Sequence, residues 1–463
     1  MYFEQFYLTC LAHASYMIGS QGEAAVIDPQ RDVDLYLEAA EEQGLKIRHI
    51  FETHLHADFV SGHKELAART GATIYIGDRA HAGFPHTALR DGSEINMGAV
   101  RIRTLETPGH TAESVCLVVT DTEKSSEPWG VLTGDTLFIG DVGRPDLSPA
   151  HTPQELAGLL YDSLHQKLLR LPDATLVYPA HGAGSLCGRS MRAERSSTIG
   201  TERLTNYALQ IGSREEFIQQ VTANLPARPG YFLQDAEINR SGAEALTDRP
   251  PLPELAPAEL QTLLDQKANV IDVRPPEEFA AGHIAGSINI ALSGQFASWA
   301  GTILGHGSKP ALVAETDAQI EEANLRLSRV GIEDVRGYLA GGISTWQKAG
   351  LTLVSTPQIS AQELNEKLQG GMVRVLDVRR EGEWQAGHIP HAQHQALDAF
   401  PQGLPALDDH VTVAVHCKSG YRSIIACSLL ERAGYRNIVN VAGGFDQWQA
   451  AGLPEVAEQS VKV

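Results

Sequence analysis

Two stretches in the C-terminal half of the chain are copies of one another, and this repeat sets the domain count before any motif is read. VIDVRPPEEFAAGHIAGSINI, from Val270, matches VLDVRREGEWQAGHIPHAQHQ, from Val375, so that Asp272, Arg274, Gly282 and His283 recur as Asp377, Arg379, Gly387 and His388, 105 positions later. Further on, RVGIEDVRGYLAGGISTWQKAG from Arg329 matches RAGYRNIVNVAGGFDQWQAAG from Arg432 at an offset of 102 to 103. Two blocks in the same order define two copies of one domain. Each copy alternates β-branched runs with amphipathic stretches, the pattern of a parallel sheet covered by helices. In the second copy VRVLDV and VTVAVH read as buried strands, and SIIACSLLERAG as a helix ending at Gly434.

A Pro-rich stretch, DRPPLPELAP at 248–257, precedes the first copy, and STPQIS around Pro357 separates the two. Expected domains are therefore 1–247, 253–355 and 358–455, which suits 463 residues at roughly 100–200 per domain. The N-terminal part has short strands (AAVID, IRHIFET, VRIRTL, SVCLVV, GVLTG), several ending in His or Asp loops, with helices expected at Leu35–Gln43, Lys64–Arg69 and Gln154–Leu169. That is a layered α/β domain with its site at strand ends.

A formal charge of −20 repels a phosphate backbone and excludes nucleic acid as a main partner. The chain has no run of about 18 apolar residues, and its N-terminus lacks the basic start and small-residue cleavage site of a secretory signal, so no membrane association and a cytoplasmic location are expected. Cys10, Cys116, Cys187, Cys417 and Cys427 are scattered and odd in number, so they form neither a disulfide framework nor a paired-cysteine zinc site.

Four N-terminal elements carry metal-binding side chains: ETHLHADFVSGH (His54, His56, Asp58, Phe59), TPGHT (His110), TGDTLF (Asp135) and YPAHG (His181). Imidazole and carboxylate on loops converging from strand ends are what a divalent metal takes in an open site. This arrangement resembles the metallo-β-lactamase superfamily, which implies an αββα sandwich. Members usually bind two metals, but the last His of the family's THxHxDH motif is Phe59 here, which has no lone pair to donate. The longer context GDTLFIGDVGRPDL with YPAHG is similar to the persulfide dioxygenase branch. That resemblance implies one Fe(II) per chain on His54, His110 and Asp135, with Arg144 and Tyr178 near a thiol-bearing substrate. A two-histidine, one-carboxylate face leaves room for a sulfur substrate and dioxygen together. His56, Asp58 and His181 then become outer groups that orient a ligand or water by hydrogen bonds. His13, His81 and His86, without partners in sequence, read as ordinary histidines.

In the second copy VTVAVH runs into CKSGYRS (417–423) and a helix. A cysteine at such a junction is encircled by inward N–H groups next to a helix N-terminus, which stabilises a thiolate or persulfide anion. Lys418 and Arg422 add positive charge for an anionic donor. With DVR…GHI and AGGFDQW, the loop resembles the rhodanese family, and the resemblance makes Cys417 the sulfur-accepting nucleophile. Cys427 reads as core. Counting backward from AGG places Glu315 opposite Cys417 and Ile320 opposite Arg422, so the first copy is expected to be an inactive rhodanese serving spacing, docking or self-association, a homo-oligomer being one form of the last.

The reading is an α/β fusion of a persulfide dioxygenase with an inactive and an active rhodanese domain. It would oxidise low-molecular-weight persulfides with O2 to thiol and sulfite and move sulfur between persulfide, sulfite and thiosulfate in sulfide detoxification. A zinc thioester hydrolase similar to glyoxalase II and a non-catalytic sulfur-responsive scaffold are the competing readings.

Overall fold

A computed structural model describes residues 1–223, 225, 227–408 and 410–457. The chain divides into two compact units, one of residues 1–250 with 328–331, the other of 251–327 and 332–463.

In the first unit the described residues form two six-stranded sheets. The first holds β1 (Tyr2–Leu8), β2 (His13–Ser20), β3 (Glu23–Ile27), β4 (Lys46–Glu52), β5 (Thr73–Gly77) and β6 (Thr87–Leu89) in chain order, antiparallel up to β3 and parallel from there. The second holds β7 (Glu94–Met97), β8 (Val100–Glu106), β9 (Val115–Asp121), β10 (Gly130–Gly134), β11 (Leu176–Pro179) and β12 (Ser197–Thr198), with β10 and β11 parallel and the other pairs antiparallel. Their inner faces share one core, which includes Tyr16, Ile18, Ile27 and Phe51 from the first sheet and Ile102, Leu117 and Leu132 from the second. The outer face of the first sheet packs on helices Asp34–Glu42 and His63–Thr70, that of the second on Pro153–Gln166 and Arg214–Thr222. The layers are therefore helix, sheet, sheet, helix, as the sequence suggests.

The expected helices are present with shifted ends. Gln154–Leu169 is an α-helix over Pro153–Gln166 followed by a 3-10 turn at Leu168–Arg170. It starts where it does because Thr152 and Glu155 form a reciprocal capping box with Pro153 in the first turn. Leu156, Leu160 and Leu164, four residues apart, bury one face completely. A Cβ on Gly109 would lie 2.5 Å from the Leu160 Cα, and the Ser163 hydroxyl donates to the Pro108 carbonyl at 2.7 Å, so this helix seats the loop that carries His110.

The second unit contains two five-stranded sheets in which every pair is parallel. They comprise β13 (Glu254–Leu255), β14 (Val270–Asp272), β15 (Ile288–Asn289), β16 (Ala311–Val313) and β17 (Gly337–Leu339), then β18 (Gln358–Ile359), β19 (Val373–Asp377), β20 (Gln393–His394), β21 (Thr412–His416) and β22 (Ile438–Val441). Both sheets have the same order, first-fifth-fourth-second-third, as two copies of one domain require. The helix expected from Ser423 begins two residues earlier and spans Tyr421–Arg432. Among the described residues no helix is long and apolar enough to cross a membrane.

Leu160→Ala should cost about 2–5 kcal/mol, because a fully buried leucine leaves a cavity that its neighbours only partly fill. The cost is measured as a lower urea midpoint for unfolding of the first unit at unchanged slope.

Candidate functional site

Each metal-type side chain lies just beyond a strand end, and the local backbone explains its direction. His54 follows β4, His110 follows β8, Asp135 follows β10 and His181 follows β11. Gly134 turns the chain at φ +49°, where a Cβ would meet the Thr53 hydroxyl at 2.6 Å, so only glycine allows Asp135 to approach the His54 loop. Asn239, on the helix Phe232–Ser241, ties down the histidine-rich segment by donating to the carbonyls of His56 and Phe59 and accepting from the Ser61 N–H.

His54, His110 and Asp135 come together as a buried triad. Asp135 Oδ2 is 3.8 Å from His54 Nε2 and 3.4 Å from His110 Nε2, and all three atoms are buried without a hydrogen-bond partner among the described residues. Ligands about 2.1 Å from a shared ion stand roughly 3.0–3.4 Å apart, so the spacing fits a metal after a small contraction. Orphaned buried polar atoms are costly, and three aimed at one point make this a candidate metal site. The opposite side of each ligand is fixed. His54 Nδ1 donates to Thr53 Oγ1 at 3.0 Å, His110 Nδ1 donates to the Arg144 carbonyl at 2.9 Å, and Asp135 Oδ1 accepts from His181 Nδ1 at 2.7 Å. These bonds leave each Nε2 as the free lone pair. Burial lowers both His54 and His110 below the usual histidine range, which keeps them neutral as ligation requires.

His181 lies between two carboxylates, with Nε2 2.9 Å from Asp58 Oδ2. Burial opposes its charge, but Asp135 and Asp58 raise it well above the ordinary value. Burial likewise opposes the Asp135 charge, and the charged, hydrogen-bonded His181 above all holds its carboxyl well below the usual range. His56 turns to Asp28 and Glu52 instead. Arg144 enters chiefly through its carbonyl, since its guanidinium pairs bidentately with Asp146 at 2.7 and 2.8 Å and donates to the Leu186 carbonyl. Tyr178 is half-buried in an aromatic cluster with Phe3, Tyr16 and Trp129.

Sequence reasoning missed several neighbours. His13, taken as ordinary, is fully buried with both ring nitrogens unpartnered among the described residues, and its ring centroid is 4.1 Å from that of Phe59. Its β-bridge to His181, 168 positions further along the chain, left no local signal. Asp28 and Cys187 are also buried here, and Cys187 groups with Asp58 and His181.

In the second copy Cys417 is 1 % exposed, and the Gly420 N–H donates to its sulfur at 3.1 Å. Arg422 forms a two-pronged pair with Glu383 at 2.6 and 2.7 Å, while Lys418 is exposed. The first copy requires a correction by one residue. Asp272 pairs with Val313 as Asp377 pairs with His416, so Ala314 stands opposite Cys417 and, five residues on, Gln319 opposite Arg422, in place of Glu315 and Ile320. Counting from AGG failed because the copies differ in length by one residue between Gly331 and Ala340. Gln319 Oε1 accepts from the N–H groups of Glu315 and Thr316, occupying amides of the loop with its own side chain.

Comparison with known proteins agrees with this architecture. Residues 8–181 match the metallo-beta-lactamase superfamily, and residues 256–349 and 360–451 each match the rhodanese-like domain. The chain is 32 % identical over 220 residues to the mitochondrial persulfide dioxygenase ETHE1 of Bos taurus, covering 46 % of this chain and 77 % of that one. A solved metallo-beta-lactamase from Staphylococcus aureus subsp. aureus COL is 34 % identical with a TM-score of 0.66, over 73 % of this chain and 98 % of that one. Hydroxyacylglutathione hydrolase of Rhodospirillum rubrum is 37 % identical over 35 % of this chain and 57 % of its own length. The chain belongs to the metallo-beta-lactamase superfamily, within the family of the persulfide dioxygenases, and carries two rhodanese-like domains in addition. Its role is in sulfur metabolism.

Gly143 offers a test of the centre that touches no ligand. A Cβ there would lie 1.9 Å from the Asp135 carbonyl and 2.9 Å from His110 Nδ1. Gly143→Ala should therefore weaken metal binding about 10- to 100-fold, the usual cost of disturbing groups behind a ligand, as read from metal content after dialysis.

Proposed function

We propose that this protein is an iron(II) persulfide dioxygenase joined to a sulfurtransferase. The observation that carries the reading is the triad of orphaned ligand atoms on His54, His110 and Asp135, with Phe59 buried where a second metal would need a histidine. The net reaction is RSSH + O2 + H2O giving RSH, sulfite and two protons. When bound, iron supplies open coordination positions for sulfur and dioxygen. The protein's own part is positional: His181 and Asp58 hold Asp135, the Arg144 carbonyl holds His110, and Phe59 and His13 wall the centre. Arg144 and Tyr178 are the proposed contacts to the thiol-bearing part of the substrate.

In the second rhodanese copy the Cys417 thiolate attacks the outer sulfur of thiosulfate. The S–S bond of thiosulfate breaks, sulfite leaves with the electron pair, and Cys417 carries a persulfide. An acceptor thiolate then takes the terminal sulfur and Cys417 leaves as thiolate; the reverse sequence makes thiosulfate from persulfide and sulfite. The Gly420 N–H and the helix beginning at Tyr421 stabilise the sulfur anion. With Ala314 in place of the nucleophile, the first copy transfers no sulfur. Fusion raises the local concentration of the shared intermediate.

Similarity to hydroxyacylglutathione hydrolases supports a second reading, a zinc thioester hydrolase. Metal content after anaerobic purification, together with oxygen uptake on a persulfide, separates the two: near-stoichiometric iron with uptake supports the dioxygenase, whereas two tightly held zinc ions and thioester turnover would overturn it.

Single substitutions should separate the two activities. Cys417→Ser cannot form a stable persulfide, so sulfur transfer from thiosulfate to cyanide should disappear while oxygen uptake persists and the product shifts from thiosulfate to sulfite. His110→Ala should show the reverse. Loss of both activities in a folded, iron-loaded Cys417→Ser protein would point to one composite site.

A further inference from the structure

The segment after β4 carries two histidines, and they face opposite ways. His54 presents Nε2 to Asp135, whereas His56, its ring centroid 4.1 Å from that of His54, presents Nε2 to Asp28 Oδ1 at 3.1 Å and lies 3.6 Å from Glu52 Oε2. His56, Asp28 and Glu52 form a buried group of their own. This group differs from the triad in one decisive respect. Among the described residues neither Asp28 nor Glu52 has a buried carboxylate oxygen without a partner, whereas Asp135 Oδ2 has none to pair with. Asp28 Oδ1 accepts from the Thr53 N–H at 2.7 Å and Oδ2 from the Thr53 hydroxyl at 2.9 Å; Glu52 Oε1 accepts from the Ser61 hydroxyl at 2.6 Å and faces His63 Nδ1 at 3.3 Å. The two carboxylates of this group are thus held by Thr53 and Ser61, and His56 Nε2 lies against them as a charge contact without a hydrogen bond.

Asp28 holds this place at a conformational cost. Its φ is +52°, a left-handed geometry unfavourable for a side chain with a Cβ, and such strain persists where surrounding bonds over-determine it. The contacts that do so reach both histidines: Asp28 accepts hydrogen bonds from Thr53, whose hydroxyl accepts from His54 Nδ1, and its Oδ1 faces His56 Nε2 as a charge contact. A third imidazole on the metal would occupy one of the positions that a two-histidine, one-carboxylate face leaves open, and would favour zinc, which suits histidine-rich four-coordinate sites.

We propose that Asp28 and Glu52 are positioning residues that hold His56 off the metal and so set the number of histidine ligands at two. The assignment rests on the reading of His54, His110 and Asp135 as the metal set. It explains how a chain carrying the full His-x-His pair builds a centre with the open face that two substrates need.

The test uses the full chain and reads metal preference, with cobalt(II) as a spectroscopic probe. Removing both carboxylate charges in Asp28→Asn/Glu52→Gln should release His56, shift zinc-to-iron(II) selectivity toward zinc by about tenfold or more, and change the visible bands of the cobalt-loaded protein. Adding His56→Ala to that variant should restore both readouts, while His56→Ala alone should leave metal content and cobalt spectrum as in the parent. The proposal is overturned if the folded double variant keeps the parent's selectivity and spectrum, if its shift survives removal of His56, or if His56→Ala alone loses metal. Should the double variant fail to fold, the single His56→Ala protein still decides. A parent protein that consumes no oxygen would remove the dioxygenase reading without touching this one, because the readout is metal selectivity.

Discussion

Asp135 is a carboxylate almost fully removed from water, and much of the first unit is arranged around keeping it charged. Burying such a group without compensation is expensive, so the fold surrounds it with imidazoles. One oxygen receives the His181 N–H, and the other faces His54 and His110 at distances too long for hydrogen bonds and suited to an ion between them. His181 in turn requires a second carboxylate, and Asp58 supplies it. The strand ends that deliver these groups come from both sheets, so the sandwich must close before the compensation exists.

Layering gives the site its rigidity. The helix Pro153–Gln166 is anchored in the outer core by Leu156, Leu160 and Leu164 and presses on the Gly109 backbone, so packing far from the chemistry fixes where His110 points. On the other side Asn239 reaches from a later helix to three backbone groups of the His56–Ser61 segment. Loops held in this way fix the positions of the side chains they carry.

The second unit carries one scaffold twice, with different groups at the end of one strand. Both copies retain the carboxylate–guanidinium pair behind the loop, Asp272 with Arg274 and Asp377 with Arg379. In the second copy the loop amide of Gly420 serves the Cys417 sulfur; in the first, amides of the loop are consumed by Gln319. The difference lies in side chains at the end of one strand. The sheet, whose parallel order is the same in both, does not register it.

The duplication, the α/β class, the metal-type residues and the cysteine loop were all legible in the sequence, because each depends on local pattern: a repeated string, alternation of strand and helix, or a cysteine set between a strand and a helix. Helix ends were legible to within about three residues, since caps such as Thr152 with Glu155 are local too. What local pattern did not carry was direction. His54 and His56 are equivalent as letters, and only the closing of β3 beside β4 brings Asp28 close enough to draw one of them away. The one-residue slip at Ala314 has the same origin, because the register of β14 against β16 is a hydrogen-bonded pairing between distant segments. His13 looked ordinary for want of any neighbour in the chain, and became part of the site only through its bridge to His181. The sequence by itself determined which chemical groups the protein owns; tertiary structure decided which of their atoms face one another, since that depends on contacts between residues far apart in the chain.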